Sequence, residues 1–316
     1  MTLRYGVVGC GRVFQRFHLP EVTRHEDVEL VAVCDADEAG ARKVLGPAAD
    51  GVLVTTDLTE FLGAGRPDVV AVCTPNDAHT GPVLAALAAG AHVLCEKPLA
   101  ADLDEARRLA AADFAGRLSV NLPYRFHELV PVFRDALPGD LHEVTLTFTT
   151  AGQRLWRPVT NWYGDPRRAG GGALLDLGAH ALDLLGAVFG GPAEAVGCRV
   201  DRQGAEERVV AEVKLPAGPA TVRIDRASRT LGLGVEAVGA DGESVVLDLK
   251  RGEVRGAAGV VTASERQPEL AAIRGFLDAV TGRAGGRTVP AAEALAVQEL
   301  IARLYAVSVC VEGLTV

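Results

Sequence analysis

Leu3-Arg4-Tyr5-Gly6-Val7-Val8-Gly9-Cys10-Gly11-Arg12-Val13-Phe14 decides how the first third of the chain folds. Residues 3–8 read as an apolar strand, Gly9-Cys10-Gly11 as a turn, and about 13–24 as a helix. The first glycine permits the tight turn, and the second lets backbone approach a pyrophosphate at a helix N-terminus. Phe14 stands where the usual pattern has a third glycine, so the helix must pack differently against its strand. A turn that only joins strand to helix would have the same local sequence. Asp35 favours the dinucleotide reading, because it ends the next apolar run, Glu29-Leu30-Val31-Ala32-Val33-Cys34. A carboxylate about 20 residues past the glycine turn accepts hydrogen bonds from ribose hydroxyls. The same carboxylate repels a 2′-phosphate, and Ala36-Asp37 supplies no arginine to receive one, so NAD is expected over NADP.

Outward from this stretch, apolar runs near 51–54, 68–73, 92–95 and 118–121 alternate with helical segments near 38–45, 58–62, 82–89 and 102–112. Continuously apolar strands between helices indicate a parallel sheet covered on both faces. Residues 1–121 are therefore read as an α/β, doubly wound Rossmann domain. After about Pro123 the pattern changes. Val144, Leu146 and Phe148 alternate with Thr145, Thr147 and Thr149, as in a strand buried on one face. Similar strands are expected at 209–215, 221–225, 233–238 and 244–249, with turns such as Asp241-Gly242. A glycine-rich entry, Gly170-Gly171-Gly172, leads a helix to about Val188, and two more are expected at 269–281 and 291–309. Ser308 would share an apolar face with Val297, Leu300, Ile301 and Leu304. Residues 122–316 thus read as an α+β domain with an open, mostly antiparallel sheet.

The 316 residues exceed one ordinary core, in keeping with two domains. A net charge of −9 without a basic run argues against a nucleic-acid surface. No apolar run reaches membrane-spanning length and no leader pattern precedes the first strand, so a cytoplasmic protein is expected. Cys10, Cys34, Cys73, Cys95, Cys198 and Cys310 fit no zinc or CxxC spacing and read as thiols of a reducing compartment.

Glu96-Lys97-Pro98 closes a buried strand at its carboxyl end, where open α/β sheets place ligands. Proline restricts the residue before it, so Lys97 presents its ammonium from stiff backbone. The bland reading is a surface ion pair. Asp176 and His180 stand four apart in a helical stretch and share one face, with Asp183 near it. An imidazole that titrates near neutrality suits proton transfer, and Asp176 can orient it or hold a substrate hydroxyl. His180 could instead be a packed histidine bonded to Asp176. A metal would need a third ligand, and no suitable spacing is visible, so none is expected.

These residues carry a resemblance to the glucose–fructose oxidoreductase/inositol dehydrogenase (Gfo/Idh/MocA) family of NAD(P)-dependent sugar and cyclitol oxidoreductases. The carrying segments are Gly9-Cys10-Gly11-Arg12, Cys73-Thr74-Pro75-Asn76 with His79, Glu96-Lys97-Pro98, and 170–180 with Asp176 and His180. The resemblance implies that Lys97, Asp176 and His180 are catalytic. It places Gly9, Gly11, Arg12, Val13, Asp35, Thr74, Pro75, Asn76, His79, Glu96 and Asn121 around the cofactor. Arg125, Trp156 and Trp162 would border the substrate, though both tryptophans could equally be core. A homodimer or homotetramer formed through the second domain's sheet is also implied. The expected activity is hydride transfer between the nicotinamide and a secondary alcohol or ketone of a sugar or cyclitol. An NAD-dependent glycosidase of the same fold, or a non-catalytic cofactor sensor, are the alternatives.

Overall fold

Leu3–Val8 forms strand β1 in the computed structural model, which describes residues 2–113, 115–152, 160–191, 193–264 and 267–316. Its last four side chains are buried. Around it lie β2 (Val28–Cys34), β3 (Leu53–Thr55), β4 (Val69–Val72), β5 (His92–Glu96) and β6 (Leu118–Asn121). The six pair in parallel in the order β3-β2-β1-β4-β5-β6, so the chain reverses its direction of travel across the sheet between β1 and β4. All four residues of β4 are buried, as an uninterrupted apolar run demands of a strand covered on both faces. The doubly wound domain is as the sequence predicts.

This sheet belongs to one of two compact units, made of Met1–Leu122, Pro158–Gly170 and Glu269–Leu295. The later segments are tied in by specific bonds. Arg274 forks onto the buried Glu21 at 2.7 and 3.0 Å. Val120 N–H donates to the Val289 carbonyl at 2.9 Å, which covers the outer edge of β6. Asn76 Nδ2 donates to the Ala169 carbonyl at 2.8 Å.

The other unit is Pro123–Arg157, Gly171–Pro268 and Ala296–Val316. Its nine strands are β7 (Leu141–Thr149), β8 (Glu194–Val200), β9 (Arg208–Leu215), β10 (Gly218–Asp225), β11 (Gly232–Gly239), β12 (Ser244–Asp248), β13 (Glu253–Gly256), β14 (Gly259–Thr262) and β15 (Ser308–Cys310). They run β14-β13-β12-β11-β7-β10-β9-β8-β15, antiparallel except where β7 meets β10 and β8 meets β15. Val144, Leu146 and Phe148 point into the core from one face of β7. Helix Gly178–Phe189 lies on that face and adds Ala181, Leu182, Leu184, Leu185 and Val188 to the same core.

Three expectations need correction. The last helix stops at Ala306, and Ser308 begins β15 instead of continuing a helical face. The helix after the triple glycine is broken once, at Leu177, between Ala173–Asp176 and Gly178–Phe189. Finally, Pro166–Phe189 does reach membrane-spanning length and apolarity, and 72% of its most apolar window is buried inside the protein. Five cysteines are buried free thiols, and Cys310 is exposed.

Candidate active site

Parallel register aligns the carboxyl ends of the central strands. Val8 pairs with Cys34 on one side and Val72 on the other, and Val72 pairs with Cys95, which pairs with Val120. The residues that follow this row are therefore Asp35, Gly9, Cys73, Glu96 and Asn121. One transverse line of the sheet thus collects pieces that lie far apart in sequence. Gly9 has φ +96°, and a Cβ there would stand 2.7 Å from the Cys73 carbonyl carbon and 2.8 Å from Thr74 N. Only glycine lets β1 turn this close to the end of β4. Asp35 reaches back over the turn: Cys10 N–H donates to its Oδ2 at 2.6 Å, and Asp37 N–H to its Oδ1 at 2.9 Å.

After the turn, Phe14–His18 forms one wide π-type turn before Leu19–Val22 becomes α-helical. The large Phe14 side chain is fully buried where a glycine would lie flat. The wider turn is how the helix accommodates it, and it also carries His18 inward. His18 had no local signal in the sequence. It is fully buried, with Nδ1 2.8 Å from the Tyr5 hydroxyl and Nε2 2.8 Å from Glu96 Oε1. Asn121 Nδ2 donates to the same carboxylate oxygen at 2.8 Å. Burial pushes the Glu96 carboxyl up, but His18, Asn121 and the Lys97 charge together hold it below the usual carboxylate range. His18, Cys73 and Glu96 bring ligand-type atoms within 4.8 Å of one another. Within this cluster His18 and Glu96 are joined by a direct hydrogen bond.

His79 is fully buried and acts through backbone. Its Nδ1 lies 3.0 Å from the Pro98 carbonyl and its Nε2 3.1 Å from that of Thr74. It thereby joins the segments after β4 and β5, those of Thr74-Pro75-Asn76 and Lys97. Lys97 itself is half-buried, Val13 likewise, and Arg12 is exposed. Trp162 is half-buried and meets Tyr163 edge-on, with centroids 5.6 Å apart. Trp156 lies outside the described residues.

In the second unit, every residue from Gly172 to Leu185 is buried except Asp176 and His180. The one surface this helical stretch offers is a carboxylate and an imidazole. Their supports come from distant chain. Tyr124 meets the His180 ring edge-on at 4.9 Å, and Phe148 lies 6.4 Å away. Arg226, 6% exposed, lies 3.5 Å from Asp176 Oδ2 and forks onto Glu207 at 3.0 and 3.1 Å. The buried Glu206 caps the start of the short helix that ends at Asp176: its Oε1 accepts from Leu174 N–H at 2.9 Å and from the Tyr305 hydroxyl at 2.7 Å. Burial raises its carboxyl pKa. Gly172 is required here, since a Cβ would stand 2.5 Å from Glu206. Arg125 is committed to a buried ion pair, its Nε 3.0 Å from both oxygens of Asp183.

The cofactor end fits a dinucleotide on local grounds. A Cβ at Gly11 would meet nothing within 4 Å, leaving room over the turn, and Asp35 is fixed beside it.

Comparison with known proteins agrees. The family model for the oxidoreductase family, NAD-binding Rossmann fold, matches residues 3–120, and the GFO/IDH/MocA C-terminal domain matches residues 133–247. The chain is 36% identical over 196 residues to D-glucoside 3-dehydrogenase of Escherichia coli (strain K12), covering 60% of this chain and 55% of that enzyme. It is 31% identical over 193 residues to inositol 2-dehydrogenase of Rhizobium meliloti (strain 1021), covering 60% and 56%. The match thus spans little more than half the length of these relatives. Among solved structures, GenD2 from gentamicin A biosynthesis in complex with NAD superposes with a TM-score of 0.78 at 28% identity, covering 96% of this chain and 94% of that one. The chain belongs to the GFO/IDH/MocA oxidoreductase family.

Proposed function

We propose that this protein transfers a hydride between a nicotinamide cofactor, NAD in preference to NADP, and a secondary alcohol or ketone of a sugar or cyclitol. The observation that carries the reading is the Gly172–Leu185 stretch, whose only outward side chains are Asp176 and His180, in a chain of an NAD-binding family.

Bound at the glycine turn, the cofactor supplies the carbon that accepts or returns the hydride. Gly9, Gly11 and Asp35 hold its nucleotide end, and Thr74, Pro75, Asn76, Glu96 and Asn121 line the segments beside it. His180 takes the hydroxyl proton as the carbinol hydride departs, and returns it in the reverse direction. Lys97 donates a hydrogen bond to the same oxygen and stabilises the charge that develops there. Asp176, beside the Arg226 guanidinium, accepts from a neighbouring substrate hydroxyl or orients His180.

NAD preference rests on Asp35, whose carboxylate is pinned over the turn by Cys10 N–H. Replacing it with asparagine removes the charge that repels a 2′-phosphate. The Asp35→Asn variant is expected to lose about tenfold in NAD affinity and to narrow the gap to NADP. An unchanged ratio of Michaelis constants removes Asp35 from cofactor choice. Assembly through the nine-stranded sheet is supported by the half-exposed Thr145, Thr147 and Thr221 on its face, and light scattering coupled to chromatography tests for a dimer or tetramer. The reaction class is tested by nicotinamide absorbance across a panel of sugars and cyclitols. Stoichiometric change with oxidised product supports it; release of an aglycone with no net change overturns it.

A further inference from the structure

A buried polar chain ends at Glu96, the residue before Lys97, and two of its members, Tyr5 and His18, have no part in the chemistry above. It runs from the Tyr5 hydroxyl in β1, through both nitrogens of His18, to Glu96 Oε1 at the end of β5, where Asn121 from β6 joins it. Each of its links is 2.8 Å long. A neutral His18 satisfies both of its links. Burial keeps the Tyr5 hydroxyl protonated, so it donates to His18 Nδ1. His18 Nε2–H then donates to a Glu96 carboxylate that stays ionised. Because Tyr5 and His18 are fully buried, the chain ends inside the protein and cannot pass protons to solvent. A closed chain of this kind orients a group; it does not conduct.

We propose that His18, backed by Tyr5, is a positioning residue that fixes the Glu96 carboxylate, ionised and in one orientation, beside Lys97. The inference rests on the hydride-transfer reading for its consequence, since Glu96 would act by holding the neighbouring ammonium where it meets the substrate oxygen. An ion buried in this way is retained only when its lone pairs are met by donors, and His18 is the donor that sequence proximity does not supply. His18 lies 78 residues before Glu96, yet the wide turn at Phe14–His18 delivers its ring to the carboxyl end of β5.

Among the described residues, four further titratable groups face Glu96. Lys97 follows it and the Cys95 thiol precedes it in the chain, Cys73 comes from the residue after β4, and His79 from the segment beyond. Burial pushes both thiols up, which keeps them neutral, and pushes His79 down, which opposes its protonation. Loss of His18 removes a donor that holds Glu96 down: its pKa rises, and the carboxylate is lost at a higher pH on acidification.

The test uses the full chain with His18→Leu, which keeps apolar volume, His18→Gln, which keeps a donor, and Tyr5→Phe, which removes one hydroxyl. Infrared spectroscopy follows Glu96 protonation with pH, assigned by its disappearance in Glu96→Gln. In His18→Leu the protonated carboxyl is expected to appear at a pH at least one unit higher than in wild type, about a tenfold change in proton affinity. Turnover should fall about ten- to a hundredfold, as when an outer partner of an active-site ligand is removed, with KM for the substrate nearly unchanged. The acid limb of the rate profile should move to higher pH, and His18→Gln should recover most of the loss. Equal losses in both His18 variants, or Glu96 protonating at the wild-type pH, overturn the proposal. Should His18→Leu not fold, Tyr5→Phe decides it: a smaller shift in the same direction supports it, and none contradicts it. The infrared result holds whether or not any sugar is oxidised, so failure of the reaction reading is seen separately.

Discussion

The carboxyl edge of the six-stranded sheet and the Asp176–His180 face are built on different principles. At the sheet edge, backbone does most of the placing. Parallel register puts Asp35, Gly9, Cys73, Glu96 and Asn121 in one line, and Gly9 brings β1 and the end of β4 within contact distance. At the second face, backbone supplies only the four-residue spacing. What fixes the two side chains is an arginine from just past β10, a tyrosine from a short turn after β6, and a glutamate from the loop after β8. One region is specified by topology, the other by long-range side-chain contacts.

Arg226→Met should show the largest stability effect, because it leaves Asp176 and Glu207 without their shared cation. About 3 kcal/mol is expected, at the low end for a broken buried pair, since Glu207 is 27% exposed. Chemical denaturation checks it, and a loss well under 1 kcal/mol would mean the second face does not depend on side-chain support. Gly9→Ala probes the other principle. Its methyl would collide with backbone of Cys73 and Thr74, and the strained φ adds roughly 1–3 kcal/mol. The expected outcome is a correspondingly weaker affinity for NADH, measured by fluorescence titration, with the second unit undisturbed. Normal affinity would show that the turn is not held by close approach.

The smallest effect sharpens the contrast between two buried carboxylates. Glu96 has donors from His18 and Asn121 and the nearby Lys97 charge, and its pKa is held down. Glu206 receives Leu174 N–H and Tyr305 on one oxygen, and burial prevails to raise its pKa. Glu96 therefore contributes stability that is present above its unfolded pKa of about 4.5 and is lost as pH falls through its lower folded value. Glu206 works the opposite way, opposing the fold above its raised pKa and ceasing to do so as pH falls. Carbon NMR titration should find Glu206 protonating at a higher pH than Glu96; the reverse order would show that His18, Asn121 and Lys97 do not hold Glu96 down.

Legibility in the sequence follows the same division. Strands β1 to β6 stand out as apolar runs, and the glycine turn, Asp35 and Glu96-Lys97-Pro98 lie at their ends, so register alone brings them into line. Phe14 announced that the helix would depart from the usual packing, and the wide turn at Phe14–His18 is that departure. His18 itself was invisible, because its partners Tyr5 and Glu96 lie 13 and 78 residues away. Arg226 is 50 residues from Asp176 and gave no local sign of its role. Strand β15 is hidden in the sequence because Ser308 continues the helical face of Val297, Leu300, Ile301 and Leu304. Its parallel pairing with β8, from Ser308 opposite Cys198 to Cys310 opposite Val200, makes it a strand. Spacing reveals what backbone places; it is silent where distant side chains do the placing.

The central claim is that Lys97 and His180 act on one hydride-transfer reaction. The direct measurement is the rate of nicotinamide absorbance change with NAD and the best substrate of the sugar and cyclitol panel, in wild type, Lys97→Ala and His180→Ala. The account predicts stoichiometric reduction by wild type and a loss of about a hundredfold or more in each variant, with NADH affinity nearly unchanged. Turnover at the wild-type rate in either variant would contradict it.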